Sequence, residues 1–184
     1  VLSQAAATAA SMAIDNNCAV QDVDVKALNA ELEARPWGDN RKPDVVVDDA
    51  DGNCVRFVGD WTYDNSRHSY AFSRRYDYSM GKTERSAFFH PNLKKSDEYH
   101  VYYYFPKQEQ SSSVINFNIF DGTDNHEVSI LTKDIKIVGQ TRGEWVLLGT
   151  YRFAEGATPY VELTNRGADG TIVADAVQFV PTKR

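Results

Sequence analysis

From residue 45 onward the chain is a series of short β-type runs separated by turn residues, with no helical period between them. Such runs lie at 45–47, 99–105, 114–120, 145–153, 161–163 and 172–179. Strands that follow one another without crossover helices pair antiparallel and pack as layers. The pattern predicts an all-β fold, a two-sheet antiparallel β-sandwich of the jelly-roll or galactose-binding-like type.

Turn residues and side-chain alternation predict how some of these strands are arranged. Asp121-Gly122 closes the run 114–120 and the chain returns at 128–131, which predicts a hairpin. A last hairpin is predicted between 161–163 and 172–179, around the turn 167–170. In the run 145–153, Trp145, Leu147 and Phe153 share one face by alternation and are predicted to pack in the core.

The first 35 residues have a different, helical pattern. Residues 3–13 are rich in alanine, and Ser3 is predicted to be the N-cap of this helix. A second helix is predicted to start at Asp24, which would cap it, and to end at Pro36. The polar stretch that follows predicts a linker. The predicted domains are therefore a helical segment at 1–36, a linker at 37–43 and the sandwich at 44–184.

Composition excludes several classes of function. The formal net charge of −6 argues against a general nucleic-acid binder, which needs a surplus of Lys and Arg to displace the counterions of the phosphates. No apolar run approaches the roughly 20 residues of a membrane span. The two cysteines, Cys18 and Cys54, have no metal-ligand spacing, and whether they pair stays open. Because the chain begins at Val1 without a signal-peptide pattern, we expect it to be part of a longer protein.

Several segments of the sandwich carry a family resemblance. The most specific are 145–150, which reads Trp-Val-Leu-Leu-Gly-Thr, and 174–177, which reads Ala-Asp-Ala-Val. Over about 44–181 the chain resembles the golvesin C-terminal-like domain, also called the xanthan lyase carbohydrate-binding-like domain. The resemblance implies an accessory β-sandwich with a carbohydrate-directed role, outside the cytoplasm in the periplasm or secreted medium.

The helical segment has a resemblance of its own. Ser3-Gln4-Ala5-Ala6-Ala7-Thr8-Ala9-Ala10 and the segment 20–28 resemble the C-terminal tail of a family of FAD-dependent oxidoreductases. The resemblance implies that Ser3, Gln4 and Ala5 would face the flavin in a parent protein. This chain has no Gly-x-Gly-x-x-Gly opening a βαβ unit, so we expect no cofactor in the fragment itself and FAD in the parent.

A basic and aromatic segment at 61–95 is the candidate binding region. Aromatic rings stack on sugar rings, and the Arg side chain forms paired hydrogen bonds with carboxylates, so a polysaccharide or glycan, acidic for preference, would suit this mixture. The alternative interpretation is a solvated loop whose aromatic side chains cover the edge of the sandwich. The candidate carbohydrate-binding residues are Trp61, Tyr63, Tyr70, Arg74, Arg75, Tyr76 and Tyr78.

One carboxylate, Asp175, lies on the otherwise apolar face of the last strand and is predicted to point inward. A buried carboxylate needs partners. Asp175 is predicted to hold a neighbouring loop by accepting backbone N–H bonds. The alternative is a calcium site shared with Asp48, Asp49 or Asp51.

Motifs for catalysis are not found. The four histidines are not spaced as a helical metal pair, and no nucleophile elbow is present, so no catalytic residue is predicted. The leading hypothesis is a non-catalytic carbohydrate-binding or docking module of an FAD-dependent oxidoreductase. Two alternatives stay open: a structural domain that packs on and stabilises the catalytic domain of the parent, and a polysaccharide lyase or hydrolase domain.

Overall fold

The computed structural model describes residues 2–34, 44–93, 96–106, 110–137, 142–154 and 158–183. They divide into two compact units, and the boundary in the chain falls between residues 43 and 44. The predicted linker at 37–43 lies outside the described residues. Both cysteines are free thiols, one in each unit.

The helical unit contains two α-helices, α1 (Leu2–Asp15) and α2 (Val25–Ala34), with a 3₁₀ turn at Val20–Asp22. The predicted capping role of Asp24 is confirmed, since its Oδ1 accepts a hydrogen bond of 2.8 Å from the Lys26 N–H. The prediction that Ser3 is an N-cap is wrong, because α1 already begins at Leu2. Neither described helix is long and apolar enough to cross a membrane.

The sandwich unit is built from twelve strands among its described residues, all paired antiparallel. In chain order they are β1 (Val45–Asp48), β2 (Val55–Val58), β3 (Thr62–Asn65), β4 (Ser73–Asp77), β5 (Ser86–Phe89), β6 (Asp97–Pro106), β7 (Val114–Phe120), β8 (Asn125–Leu131), β9 (Gly143–Phe153), β10 (Tyr160–Thr164), β11 (Ile172–Ala174) and β12 (Ala176–Pro181). They form a four-stranded sheet in the order β1-β12-β6-β9, a five-stranded sheet in the order β2-β5-β10-β7-β8, and a small sheet in the order β11-β4-β3.

The core lies between the two larger sheets, as predicted for a sandwich. Alternate residues of β7 are buried, and Phe117 of this strand packs on Tyr103 of β6 with ring centroids 5.0 Å apart. Phe89, Phe153 and Phe179 are fully buried in the same core. The hairpin predicted after Asp121-Gly122 is confirmed as β7–β8.

Two predictions about strand arrangement are wrong. The runs 161–163 and 172–179 do not form a hairpin, because β10 lies between β5 and β7 while β12 lies between β1 and β6 of the other sheet. The segment 61–95 is also not only a loop, since it contains β3, β4 and β5. In β3 and β4 the alternation is hidden because polar side chains occupy both faces, and β5 is only four residues long.

A β-bulge in β9 overturns a third prediction. The register with β6 passes from Val101↔Gly149 to Tyr102↔Leu147, so that Leu148 is an extra residue. Because of the extra residue, side chains before the bulge point to the opposite face of β9 from the one that simple alternation with Phe153 predicts. Leu147 is therefore 52% exposed, while Phe153 is buried. Trp145 is half-buried on the outside of the sheet, where its ring packs edge-on against Tyr104 at 5.1 Å.

Candidate functional site

Strand register aligns chemically useful side chains on the side of the five-stranded sheet that faces away from the core, here called the outer face. One row crosses all five strands: Arg56, Phe88, Glu162, Asn118 and Glu127. Residues two positions away along each strand share this face, so a second row runs beside it. The second row consists of Val58, Ser86, Thr164, Asn116 and Ser129.

An aromatic cluster occupies one part of the outer face. The ring of Tyr160 packs against Phe88 at 5.4 Å, Phe120 at 5.5 Å and His90 at 5.8 Å between centroids. The Arg56 guanidinium carbon lies 4.0 Å from the centre of the Phe88 ring. These rings are half-buried, so each is held by its neighbours and still presents surface to solvent.

A polar groove of about 230 Å³ occupies the adjoining part of the same face. Glu162 lines the groove and accepts hydrogen bonds from Ser86 Oγ at 2.7 Å and from Asn118 Nδ2 at 3.4 Å. The Oδ1 atom of Asn118 has no hydrogen-bond partner among the described residues. The groove is lined by Asn116, Phe117, Asn118, Glu127, Val128, Ser129, Glu162, Thr164 and Arg166.

The outer face therefore combines what sugar recognition requires. Exposed aromatic surface can cover the C–H groups of a pyranose ring, and amide and carboxylate groups can pair with its hydroxyls. The side chains are oriented by bonds to one another before any ligand arrives, which lowers the entropy cost of binding. Sequence reasoning missed this face, because its members come from five strands whose pairing has no local signal in the sequence.

The seven candidate residues at 61–78 do not come together in one surface. Trp61 is only 8% exposed: its ring packs 5.9 Å from Phe57 and its Nε1 donates to the Val58 carbonyl at 3.2 Å. Trp61, a candidate binding residue, therefore has its ring in the core rather than at the surface. Gly59, with φ of 81°, makes the turn that folds the indole back onto β2.

The two arginines of the candidate set point to opposite faces of β4, as neighbours in a strand must. Arg75 lies over the rings of Phe57, at 4.5 Å, and Tyr63, at 5.5 Å. Arg74 instead forms an ion pair of 3.1 Å with Asp64. Each guanidinium is thus already engaged within the sandwich.

The remaining tyrosines of the set lie at two separate places. Tyr76 and Tyr78 pack on each other with ring centroids 5.6 Å apart, and Tyr78 is exposed. Tyr70 packs edge-on against Tyr104 and Trp145 on the outside of the four-stranded sheet. Tyr63, Tyr70, Arg74, Arg75, Tyr76 and Tyr78 stay candidates for binding, in separate groups.

Three of the four calcium candidates form a cluster. Asp48, Asp49 and Asp175 each place a carboxylate oxygen within 4.8 Å of the other two. Asp51 is not a member of the cluster, and its Oδ2 accepts the Asp48 N–H at 2.9 Å. Asp175 accepts the backbone N–H of Tyr70 on both oxygens, at 3.1 and 3.2 Å, which confirms the predicted role in holding a loop.

The cluster is electrostatically strained because it is buried. Burial, helped by the nearby carboxylates of Asp48 and Asp49, raises the pKa of Asp175 to about 8, although the hydrogen bond from the Tyr70 N–H opposes this shift. Burial likewise raises the pKa of Asp49 to about 6, although a hydrogen bond from Ser73 opposes this shift. Close carboxylates in a buried site favour a neutralising proton or cation.

The residues implied in flavin contact, Ser3, Gln4 and Ala5, lie in the first turn and a half of α1. Their contact with a flavin stays a prediction, because it concerns a parent protein.

Comparison with known proteins gives a consistent family relationship. Residues 45–181 match the family model of the Golvesin C-terminal domain. Over 147 residues the chain is 30% identical to a xanthan lyase of Bacillus sp. strain GL1, covering 78% of this chain and 15% of that protein. The chain thus spans about one seventh of the length of this curated relative.

Solved structures show the same similarity. A Paenibacillus xanthan lyase aligns with a TM-score of 0.66 at 28% identity, covering 76% of this chain and 13% of that one. A family 35 carbohydrate-binding module of Clostridium thermocellum aligns with a TM-score of 0.50 at 10% identity, covering 73% of this chain and 97% of the module. At that identity the likeness concerns the fold alone.

Proposed function

The chain belongs to the Golvesin C-terminal domain family, and on this premise we propose that it is a non-catalytic accessory module that binds a polysaccharide through the outer face of its five-stranded sheet. The observation that carries the proposal is the row of Arg56, Phe88, Glu162, Asn118 and Glu127 across all five strands. The β-sandwich fold, shared with a carbohydrate-binding module, supports the same conclusion.

In the proposed binding mode the aromatic cluster and the polar groove act together. Tyr160 and Phe88 cover one face of a sugar ring, and the polar side chains of the adjoining groove form hydrogen bonds with the hydroxyls of the next sugar in the chain. Arg56 supplies positive charge beside the aromatic cluster and could pair with a carboxylate of an acidic polysaccharide. This mode uses a sugar chain lying along the sheet rather than a chain end in a deep pocket.

The experiment is an affinity-gel screen of neutral and acidic polysaccharides, followed by titration calorimetry with the best binder. Tyr160→Ala is expected to weaken binding about tenfold, because one stacking surface is lost. The matched control is Tyr102→Ala, which removes another half-buried tyrosine, from β6 of the four-stranded sheet.

Other outcomes of this screen decide among the remaining hypotheses. Binding that survives Tyr160→Ala but falls in Tyr63→Ala or Arg75→Ala would move the site to the β3–β4 region. Failure to bind any polysaccharide would contradict the proposed function. Release of new chain ends from the same polysaccharides would instead support a lyase or hydrolase.

We further propose that the parent protein is an FAD-dependent oxidoreductase acting outside the cytoplasm, with α1 and α2 packing on its catalytic domain. Three apolar side chains of the helical unit support packing on a partner: Ile14, Val20 and Val25 are 79%, 51% and 64% exposed. This observation also favours the second candidate function, a structural role in the parent. Flavin absorbance of the purified parent tests the cofactor. Slower amide exchange of α1 in the parent than in this chain tests the packing.

A further inference from the structure

The acidic cluster of Asp48, Asp49 and Asp175 lies at a junction of the sandwich. Asp48 ends β1, Asp49 follows it, and Asp175 separates β11 from β12. Through its two bonds to the Tyr70 N–H, Asp175 also holds the loop that precedes β4. A ligand at this point would connect the first strand of the unit, its last strands and that loop.

The oxygens of the cluster are not all used by the protein. Asp49 is only 3% exposed, and its Oδ1 accepts the Ser73 hydroxyl at 2.8 Å, but its Oδ2 has no hydrogen-bond partner among the described residues. The Oδ2 of Asp48 is likewise buried without such a partner. Buried carboxylate oxygens without a donor are costly, and a cation satisfies several at once.

Two arginines close to the cluster, Arg74 and Arg75, do not neutralise its carboxylates by direct contact. Arg75 influences Asp49, and Arg74 influences Asp175, through space. However, Arg75 is stacked over Phe57 and Arg74 is paired with Asp64. Neither guanidinium forms a described ion pair with a member of the cluster.

We propose that Asp48, Asp49 and Asp175 bind one Ca²⁺ ion. The donor set consists only of carboxylate oxygens, which hard cations prefer over zinc or copper. Bonds of about 2.4 Å to a central Ca²⁺ allow ligand oxygens up to about 4.8 Å apart, and the three oxygens lie within that span. Mg²⁺ forms shorter bonds of about 2.1 Å and keeps several waters, for which this buried site is less suited.

The test compares thermal unfolding of the whole chain in EGTA with unfolding in about 10 mM CaCl₂, since extracellular calcium modules have Kd values of about 0.1–1 mM. Ca²⁺ is expected to raise the Tm by about 4–10 °C, and titration calorimetry is expected to show one ion per chain. Asp49→Asn and Asp175→Asn should each abolish the rise, because each removes a charged ligand. The control Asp60→Asn, an exposed aspartate beside β3, should keep it.

Three results would overturn the proposal: equal Tm values in EGTA and CaCl₂, a rise that persists in both cluster variants, or an equal rise with MgCl₂. If the variants fail to fold by circular dichroism, Tb³⁺ luminescence of the unaltered chain decides. Tb³⁺ emission that is sensitised by the nearby tyrosines, and that is lost when added Ca²⁺ displaces the Tb³⁺, supports the site. Absence of this emission excludes it. Glycan binding is measured separately, so this proposal and the proposed function can fail independently.

Discussion

At the scale of single residues, Asn165 is the side chain on which the polar interior of the sandwich depends. It has no exposed surface, and its Nδ2 donates to Asp77 Oδ2 and to the Thr83 carbonyl, each at 2.7 Å. Its Oδ1 accepts the Arg85 N–H at 2.9 Å. Asp77, also fully buried, completes its pairing with the Arg85 guanidinium at 2.8 Å. In this way β4, the start of β5 and the end of β10 are connected through one amide.

Replacing Asn165 with Ala is expected to lower the free energy of unfolding by about 2–4 kcal/mol. The loss removes the partner of the Arg85 N–H and leaves the buried Asp77 Oδ2 with the Ser79 hydroxyl as its remaining donor. Urea denaturation followed by tryptophan fluorescence measures it. Asn125→Ala, in the exposed part of edge strand β8, serves as the control and should change the stability by less than about 0.5 kcal/mol. A similar small change for both variants would contradict this account.

At the scale of elements, the bulge of β9 decides which side chains enter the core. Gly149, beside the extra residue Leu148, has φ of 152°, a backbone conformation that favours glycine. A Cβ at this position would lie 2.7 Å from the Tyr151 Cζ atom. The bulge therefore requires glycine for both conformation and space. It also explains why simple alternation along the strand assigned Trp145 and Leu147 to the wrong face.

Gly149→Ala is expected to destabilise the chain by about 2 kcal/mol or more, through backbone strain and displacement of the Tyr151 ring. Chemical denaturation provides the value. The control is Gly52→Ala, because nothing lies within 4 Å of the added Cβ there and the backbone is not left-handed. If Gly149→Ala proved as stable as Gly52→Ala, the bulge of β9 would not require glycine at this position.

At the scale of the whole molecule, the two units differ in how much they bury. The sandwich unit buries large aromatic and aliphatic side chains of both larger sheets. In the helical unit the described buried side chains are Ala9 and Ala13 of α1, and none is buried in α2. Helices of 14 and 10 residues are marginal in water unless an apolar face is packed.

Amide hydrogen exchange is therefore expected to be at least about tenfold faster in α1 and α2 than in the central strands β10 and β6 of the sandwich. Mass spectrometry of peptides from 2–34 and from 97–106 measures the difference. Edge strand β8 is an internal control, and its amides should exchange at an intermediate rate because one side of an edge strand is unpaired. Equal protection of helices and central strands would show that the helical unit is stabilised by contacts other than its described ones.

Much of the fold was predictable because its signals are local. The helix cap at Asp24, the β7–β8 turn at Asp121-Gly122 and the inward side of Asp175 each depend on residues within a few positions. Where prediction failed, at the supposed hairpin of 161–163 with 172–179 and at the face of Trp145, the outcome depended on partners far away in the chain.

By itself, the sequence determined the fold class and the β7–β8 hairpin, because alternation and turn chemistry act between neighbouring residues. It also determined the family, through short motifs along the chain. Only the tertiary structure decided which strands pair and therefore which side chains meet. Arg56, Phe88, Asn118, Glu127 and Glu162 form one row although more than a hundred positions separate the first from the last. The same is true of Asp49 and Asp175. Strand register is a long-range property: a shift of one residue turns every side chain to the other face, and no local pattern records it.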